Sequence, residues 1–328
     1  MFQNKINITT IWGWTWTYNV LSGLRWNESY NLAAIVTMSD SGWSTWVLRD
    51  EFWVLPPWDI RRAILALSNE SDILRKLFEY RFDKKSSVSG HTVWNLLLTA
   101  LADITWDFWD GIKEINKMFK VQGKVIPVTM EQSNLCVKLE NGQEVCWESN
   151  IDVPLHDPTL RIIEAYLEPQ PQVNPVAKNS LENSDIIVVG PGDLYTSIIP
   201  NLLVTWVKDA VKNSNAKVVY FCNIMTKLWE TNDFEVLDFV NEMEKYIWEW
   251  VIDYVVVNNG YISDEMTERY KKIESKKPVK LKDSDRDIIT QKGIHVVERD
   301  LLHEQDYVRH SSKKIASFLD DLVDGWVR

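Results

Sequence analysis

Near-continuous apolar, β-branched runs alternate with helix-patterned segments along most of this chain, and that alternation restricts its fold more than any other feature. The runs are INITTI (6–11), NLAAIVTM (31–38), DIIVVG (185–190), AKVVYFC (216–222), VIDYVVVN (251–258) and GIHVVERD (293–300). Strands apolar on both faces belong in a parallel sheet covered by helices above and below. Helical spacing is read over about 18–25, 60–68, 71–82, 91–103 and 107–118, and SSKKIASFLDDLV forms a terminal amphipathic helix with Ser311 or Ser312 as N-cap.

Residues 121–155 change character. GKVIPVTM, LCVKLENGQEVCW and the proline-bearing IDVPLHD read as short antiparallel strands joined by tight turns. The expected architecture is therefore a Rossmann-like three-layer α/β sandwich with a mostly parallel sheet and a small β-rich insertion. Residues 1–120 supply the first half of the core, 121–165 the insertion and 166–328 the second half.

The net charge of -11, from 36 Lys plus Arg against 47 Asp plus Glu, argues against a general nucleic-acid binder. No apolar run approaches the roughly 20 residues of a membrane-spanning helix, and the start MFQNKINITTI lacks the build of a signal peptide, so a cytoplasmic protein without membrane insertion is expected. Cys136 and Cys146 flank Asn141-Gly142. A two-residue turn there sets Cys136 opposite Trp147 and Cys146 opposite Val137, on opposite faces of the ribbon, which predicts no disulfide and fits a reducing compartment.

Tryptophan is the anomaly: 17 of them stand beside only 12 glycines, where average usage gives about 23 glycines. Many sit in turn-like surroundings such as SGWSTW, PPWDI and VCWES, where glycine ordinarily supplies a positive φ or a close backbone approach.

Three loops follow strand ends, the place where open α/β sheets bind ligands. The first, Trp12-Gly13-Trp14-Thr15-Trp16, has the layout of a phosphate-binding turn but the bulk of an aromatic cluster, and both readings stay open. The second, SDSGWSTWVLRDEFWVLPPWDIRR, carries Asp40, Arg49, Asp59 and Arg61. Asp40 suits a ribose hydroxyl, a metal or a loop cap, and paired arginines suit an oligophosphate as well as a charged surface turn. The third, GPGDLYTSIIPNLL, sets Gly190 and Gly192 around a proline, with Tyr195, Thr196 and Ser197 at a helix start whose free amides favour an anion. His91 opens a helix with Asn95 one turn later on the same face, in a ligand-contacting or merely structural role.

Taken together, SDSGWSTWVLRDEFWVLPPWDIRR, GHTVWNLLL, GPGDLYTSIIPNLL, CNIMTKLWETNDF and VRHSSKKIA resemble, in order and over nearly the whole chain, the family that unites 2-phospho-L-lactate transferase (CofD) with the YvcK-type gluconeogenesis factors. The family's first loop reads G-G-G-T-G, and Trp12, Trp14 and Trp16 occupy three of its glycine positions. Trp43, Trp46, Trp53, Trp58 and Trp94 likewise stand at family glycine positions, and Trp229 fits the same reading.

The resemblance implies one of two functions. A YvcK-type protein binds a nucleotide sugar such as UDP-N-acetylglucosamine and regulates carbon metabolism and cell-wall or cell-shape control, and Arg309, with Tyr270 as a weaker aromatic match, resembles the arginine that contacts the sugar nucleotide. A CofD-type enzyme moves a phospholactyl group from a nucleotide-activated donor to a deazaflavin. For that reaction Asp40 and Asp59 are the candidate catalytic carboxylates, with Mg²⁺ on Asp40, although SDSG replaces the usual acidic pair. The resemblance further implies that Asn201 and Asn223 are polar contacts near the nucleotide, and that a homodimer forms. A dinucleotide dehydrogenase is disfavoured, since no G-x-G-x-x-G emerges even with the tryptophans read as glycines.

Overall fold

The computed structural model describes residues 5–13, 15–39, 58–68, 72–82, 89–153, 156–304 and 307–325. The chain opens with β1 (Ile6–Trp12), α1 (Thr15–Leu24) and β2 (Tyr30–Val36), then runs through α2 (Trp58–Leu67), α3 (Asp72–Glu79), α4 (Val93–Thr105) and α5 (Phe108–Met118) to β3 (Lys124–Pro127). A small layer follows, made of β4 (Asn134–Leu139), β5 (Glu144–Cys146), α6 (Glu148–Asp152) and β6 (Ile162–Glu168). The second half comprises α7 (Pro175–Glu182), β7 (Ile186–Val189), a π-helical turn (Leu194–Ile198), α8 (Ile199–Leu203), α9 (Val207–Asn213), β8 (Lys217–Phe221), α10 (Val236–Ile247) and β9 (Tyr254–Asn258). It ends with α11 (Asp264–Glu274), α12 (Asp283–Gln291), β10 (His295–Arg299), the hairpin β11 (Leu302–Glu304) and β12 (Val308–His310), and α13 (Ser312–Val323).

Seven strands form one sheet in the order β10-β9-β8-β7-β1-β2-β3, parallel at every pairing. Its central strands are buried on both faces, with Ile8, Ile11, Val188, Val189, Val219 and Val256 all inaccessible. That is why they read as apolar runs rather than as alternating ones. Helices cover the sheet, as expected. One expectation is corrected: β3, drawn from GKVIPVTM, is not part of an antiparallel insertion but pairs parallel with β2 at the edge of the main sheet. The separate antiparallel sheet is β5-β4-β6.

The predicted absence of a disulfide is also corrected. Cys136 pairs directly with Cys146, and the two are bonded. The hairpin loop has three residues, not two: the Leu139 amide donates to the Gln143 carbonyl at 2.8 Å, and Gly142, at φ +84°, forms the bulge that closes it. One extra loop residue moves the register by one position and brings both sulfurs to the same face.

Among the described residues, Trp106, Trp147, Trp206, Trp229, Trp248 and Trp250 have φ between 59° and 88°. A residue with a Cβ pays about 1–2 kcal/mol in that region, so six such positions together weigh against the roughly 5–15 kcal/mol by which a native domain is stable.

Candidate functional site

β1 and β7 lie side by side, and from them the chain builds the sheet outward in opposite directions, through β2 and β3 on one side and β8, β9 and β10 on the other. Such a switch point leaves a crevice at the carboxyl ends of the strands. Gly13 follows β1 into this crevice. A Cβ placed on it would stand 3.0 Å from Asp59 Oδ2, 3.2 Å from the Ser197 carbonyl and 3.2 Å from Thr37 Cγ2. Thus the loops after β1, β2 and β7 and the first turn of α2 meet at one point, and a side chain there would be crowded from three directions.

The loop after β7 is equally tight. Gly190 takes φ +68°, and a Cβ there would lie 3.0 Å from the Phe221 carbonyl. The Asn223 Nδ2 donates to the Gly192 carbonyl at 2.8 Å, so the amide that follows β8 holds this loop in place. Beside it opens a cavity of about 410 Å³ lined by Pro191, Asp193, Asn223, Lys227, Tyr270 and Arg309, among others. The Tyr270 hydroxyl accepts from the Val308 amide at 3.1 Å, which ties α11 to β12. The Arg309 guanidinium lies 5.2 Å from the ring centroid of Tyr307.

Lys227 organises the wall between the cavity and the insertion. Its ammonium lies 2.8 Å from Asp193 and 2.7 Å from Glu230 and also pairs with Asp152 at the end of α6. Glu230 in turn accepts from the Tyr195 amide at 3.0 Å and the Thr196 hydroxyl at 3.1 Å, fixing the π-helical turn. Burial pulls the Lys227 pKa down, but the fields of Glu230, Asp193 and Asp152 together outweigh it and hold the amine protonated. Burial pushes the Glu230 carboxyl up, with Lys227 pulling it back.

α2 presents two faces. Asp59 is buried in its first turn, against Gly13. Arg61, singled out in the sequence, turns inward instead and donates to the Phe78 carbonyl at 3.3 Å. The next residue, Arg62, was missed. Burial lowers its pKa, Asp59 and Glu79 raise it, and Arg309 lowers it again, so its guanidinium lies within the electrostatic reach of both Asp59 and Arg309. The signal was present, because Arg62 is three residues after Asp59 and shares its face.

The remaining sequence candidates divide. Trp12 closes β1, and Thr15 and Trp16 open α1, so all three positions border the crevice. Trp14, Asp40 and Arg49 lie outside the described residues. Tyr195 packs in the core, its hydroxyl 3.4 Å from the Ile162 carbonyl, and Thr196 is turned toward Glu230. Ser197 is buried with its carbonyl beside Gly13, and Asn201 donates to that carbonyl at 2.9 Å from below. The side chains of Tyr195, Thr196 and Asn201 are thus engaged within the fold. His91 does not cap the helix: Thr92 does, accepting from the Asn95 amide at 3.1 Å, and buried Asn95 receives the Thr99 hydroxyl on its carbonyl. Neither His91 nor Asn95 lines the cavity.

Asp152, Asp193 and Glu230 are the carboxylates among the described residues spaced for a metal ion. The Lys227 ammonium already occupies the space between them. These residues therefore do not suit Mg²⁺ unless Lys227 is displaced.

The chain matches the family model described as 2-phospho-L-lactate transferase CofD over residues 8–302. It is 35% identical over 322 residues to the gluconeogenesis factor of Bacillus subtilis, covering 97% of this chain and 98% of that one. The chain belongs to the family of CofD and the gluconeogenesis factors. The gluconeogenesis factor of Listeria monocytogenes is 34% identical over 321 residues, covering 97% of this chain and 95% of its own. A crystal structure of a UPF0052 family member from Bacillus halodurans superimposes with a TM-score of 0.88 at 33% identity, covering 96% of this chain and 99% of that one. No helix among the described residues is long and apolar enough to cross a membrane.

Proposed function

We propose that this gluconeogenesis-factor relative is a YvcK-type regulator that binds a nucleotide sugar of the UDP-N-acetylglucosamine kind, with a role in carbon metabolism and cell-wall or cell-shape control. The observation that carries the reading is the convergence of Tyr270 and Arg309, from separate elements, on one cavity beside the Gly190–Gly192 loop. An arginine there pairs with a diphosphate through two parallel hydrogen bonds. The amides of Tyr195, Ser197 and Ile198 are used inside the turn, by Glu230 and the Asp193 carbonyl, so the close-packed glycines at the strand ends, which let a ligand approach the backbone, are what the loop offers the phosphates. Asn223, anchored by its Nδ2, leaves an amide oxygen for a donor on the base or sugar.

The test is a panel titration. UDP-N-acetylglucosamine should bind saturably and be displaced by UDP, while NAD and guanine nucleotides bind far more weakly. Preference for another nucleotide would remove the proposal.

A second reading, a CofD-type transferase, is favoured by the description of the matching family model. It would place Asp59, and Asp40 with Mg²⁺, at the reacting group. It predicts metal-dependent release of a nucleoside monophosphate from an activated phospholactate donor in the presence of a deazaflavin acceptor, and no such release would remove it.

A further inference from the structure

The described backbone takes a positive φ at Trp106, Trp147, Trp206, Trp229, Trp248 and Trp250, and at only three other non-glycine residues, Lys120, Asp233 and Ser275. Those three lie at φ 44–58°, in the ordinary left-handed helical well for short or flexible side chains. Three of the six tryptophans, Trp147, Trp206 and Trp248, lie beyond that well, and two of these lie in territory that L residues scarcely enter. Trp147 has φ 81° with ψ 124°, and Trp248 has φ 88° with ψ 143°. Backbone of that kind borders the region populated essentially by glycine alone. The surviving glycines occupy the same range, Gly90 and Gly142 at φ 84° and Gly293 and Gly325 at 76°.

The positions also do a glycine's work. Trp106 ends α4 in left-handed conformation with its amide on the Asp103 carbonyl, and the Trp248 amide ends α10 on the Glu244 carbonyl. A residue of positive φ just past a helix is the usual seat of glycine. Nor do most of the indoles gain burial that would offset the strain: Trp106 is 93% exposed, Trp250 70% and Trp206 54%. Trp229 is the exception, its indole N–H donating to the Asp152 carbonyl at 3.0 Å. A large apolar residue left in water at a position its backbone resists is the reverse of what folding selects.

We propose that these six positions are glycine in the polypeptide the cell makes, because one codon written as tryptophan is decoded there as glycine. UGA can have either meaning in variant translation systems, so one reassignment accounts for scattered exchanges that share a backbone conformation rather than a neighbourhood. It also accounts for 17 tryptophans beside 12 glycines. The inference rests on backbone geometry and does not depend on which ligand the protein binds.

The test is peptide sequencing by tandem mass spectrometry of the protein isolated from the cells that make it, together with the codons of its gene. Glycine at positions 106, 147, 206, 229, 248 and 250, each encoded by UGA, is the expected result. Tryptophan in those peptides, or UGG at those codons, would overturn the proposal. A second measurement compares recombinant chains carrying tryptophan or glycine at the six positions. The glycine chain should unfold at a clearly higher urea midpoint, or fold where the tryptophan chain does not. An equal or lower midpoint would overturn the geometric premise.

Discussion

The Lys227 ammonium stands 2.7 Å from a carboxylate oxygen of Glu230, whose side chain is wholly buried. That carboxylate is also the acceptor for the amide of Tyr195 and the hydroxyl of Thr196. The pair therefore joins the ligand-loop turn to the insertion, through Asp152 at the end of α6. Removing one partner of a buried pair leaves an uncompensated charge, which costs about 3–5 kcal/mol. Lys227→Met should lose that much stability in urea unfolding, and Glu230→Gln in the same background should recover part of it. Strict additivity of the two changes would show that they do not act as a pair.

Acid should weaken the fold through His310. Burial depresses its pKa to about 3, against the opposing effect of the bond between Nε2 and the Cys222 carbonyl at 3.1 Å. The folded value lies below the unfolded one, near 6.5. The neutral ring's contribution is therefore fully present above about pH 6.5 and is lost as pH falls toward 3, by up to about 1.4 kcal/mol per pH unit. Unfolding midpoints measured between pH 7.5 and 5 should fall, and should fall less in His310→Gln. An identical slope in both proteins would assign the acid sensitivity elsewhere.

Arg61 and Arg62 are adjacent in sequence but should separate by experiment. Arg62→Ala should weaken UDP-N-acetylglucosamine binding by about 10- to 100-fold, the worth of a charged hydrogen bond. Arg61→Ala should lower the unfolding midpoint, because its guanidinium serves the Phe78 carbonyl inside the fold. Equal effects on affinity would contradict the two-face reading of α2.

The Cys136–Cys146 bridge closes a short loop of sequence separation 10. Closing such a loop contributes about 2–3 kcal/mol, so Cys136→Ser or a reductant should lower the urea midpoint of the oxidised protein. No change on reduction would show that the bond is not formed in solution. The earlier link from these cysteines to a reducing compartment falls with the register that supported it.

Much of the scaffold was legible because strands buried on both faces leave continuous apolar runs. INITTI and DIIVVG were enough to place the two strands that flank the crevice. Register was less legible, since Asn141-Gly142 fits a two-residue turn and a three-residue loop alike, and only the pairing of Leu139 with Gln143 decides between them. Site residues were legible as loops more than as side chains. Gly13, Gly190, Gly192 and Asn223 lie together at neighbouring strand ends, whereas Tyr195 and Arg61 point inward, because successive side chains on a helical turn diverge by about 100° and spacing alone does not say which of them faces the crevice. Lys227 and its carboxylates come from three distant segments, and nothing in their local spacing announced them.

The most direct test of the account is a calorimetric titration of UDP-N-acetylglucosamine into the chain carrying glycine at positions 12, 14, 16, 43, 46, 53 and 58, repeated with Arg309→Ala. Saturable binding at one site, lost or weakened by at least about 10-fold in the variant, is the predicted result. A folded protein that shows no binding, or that binds equally well without Arg309, would contradict it.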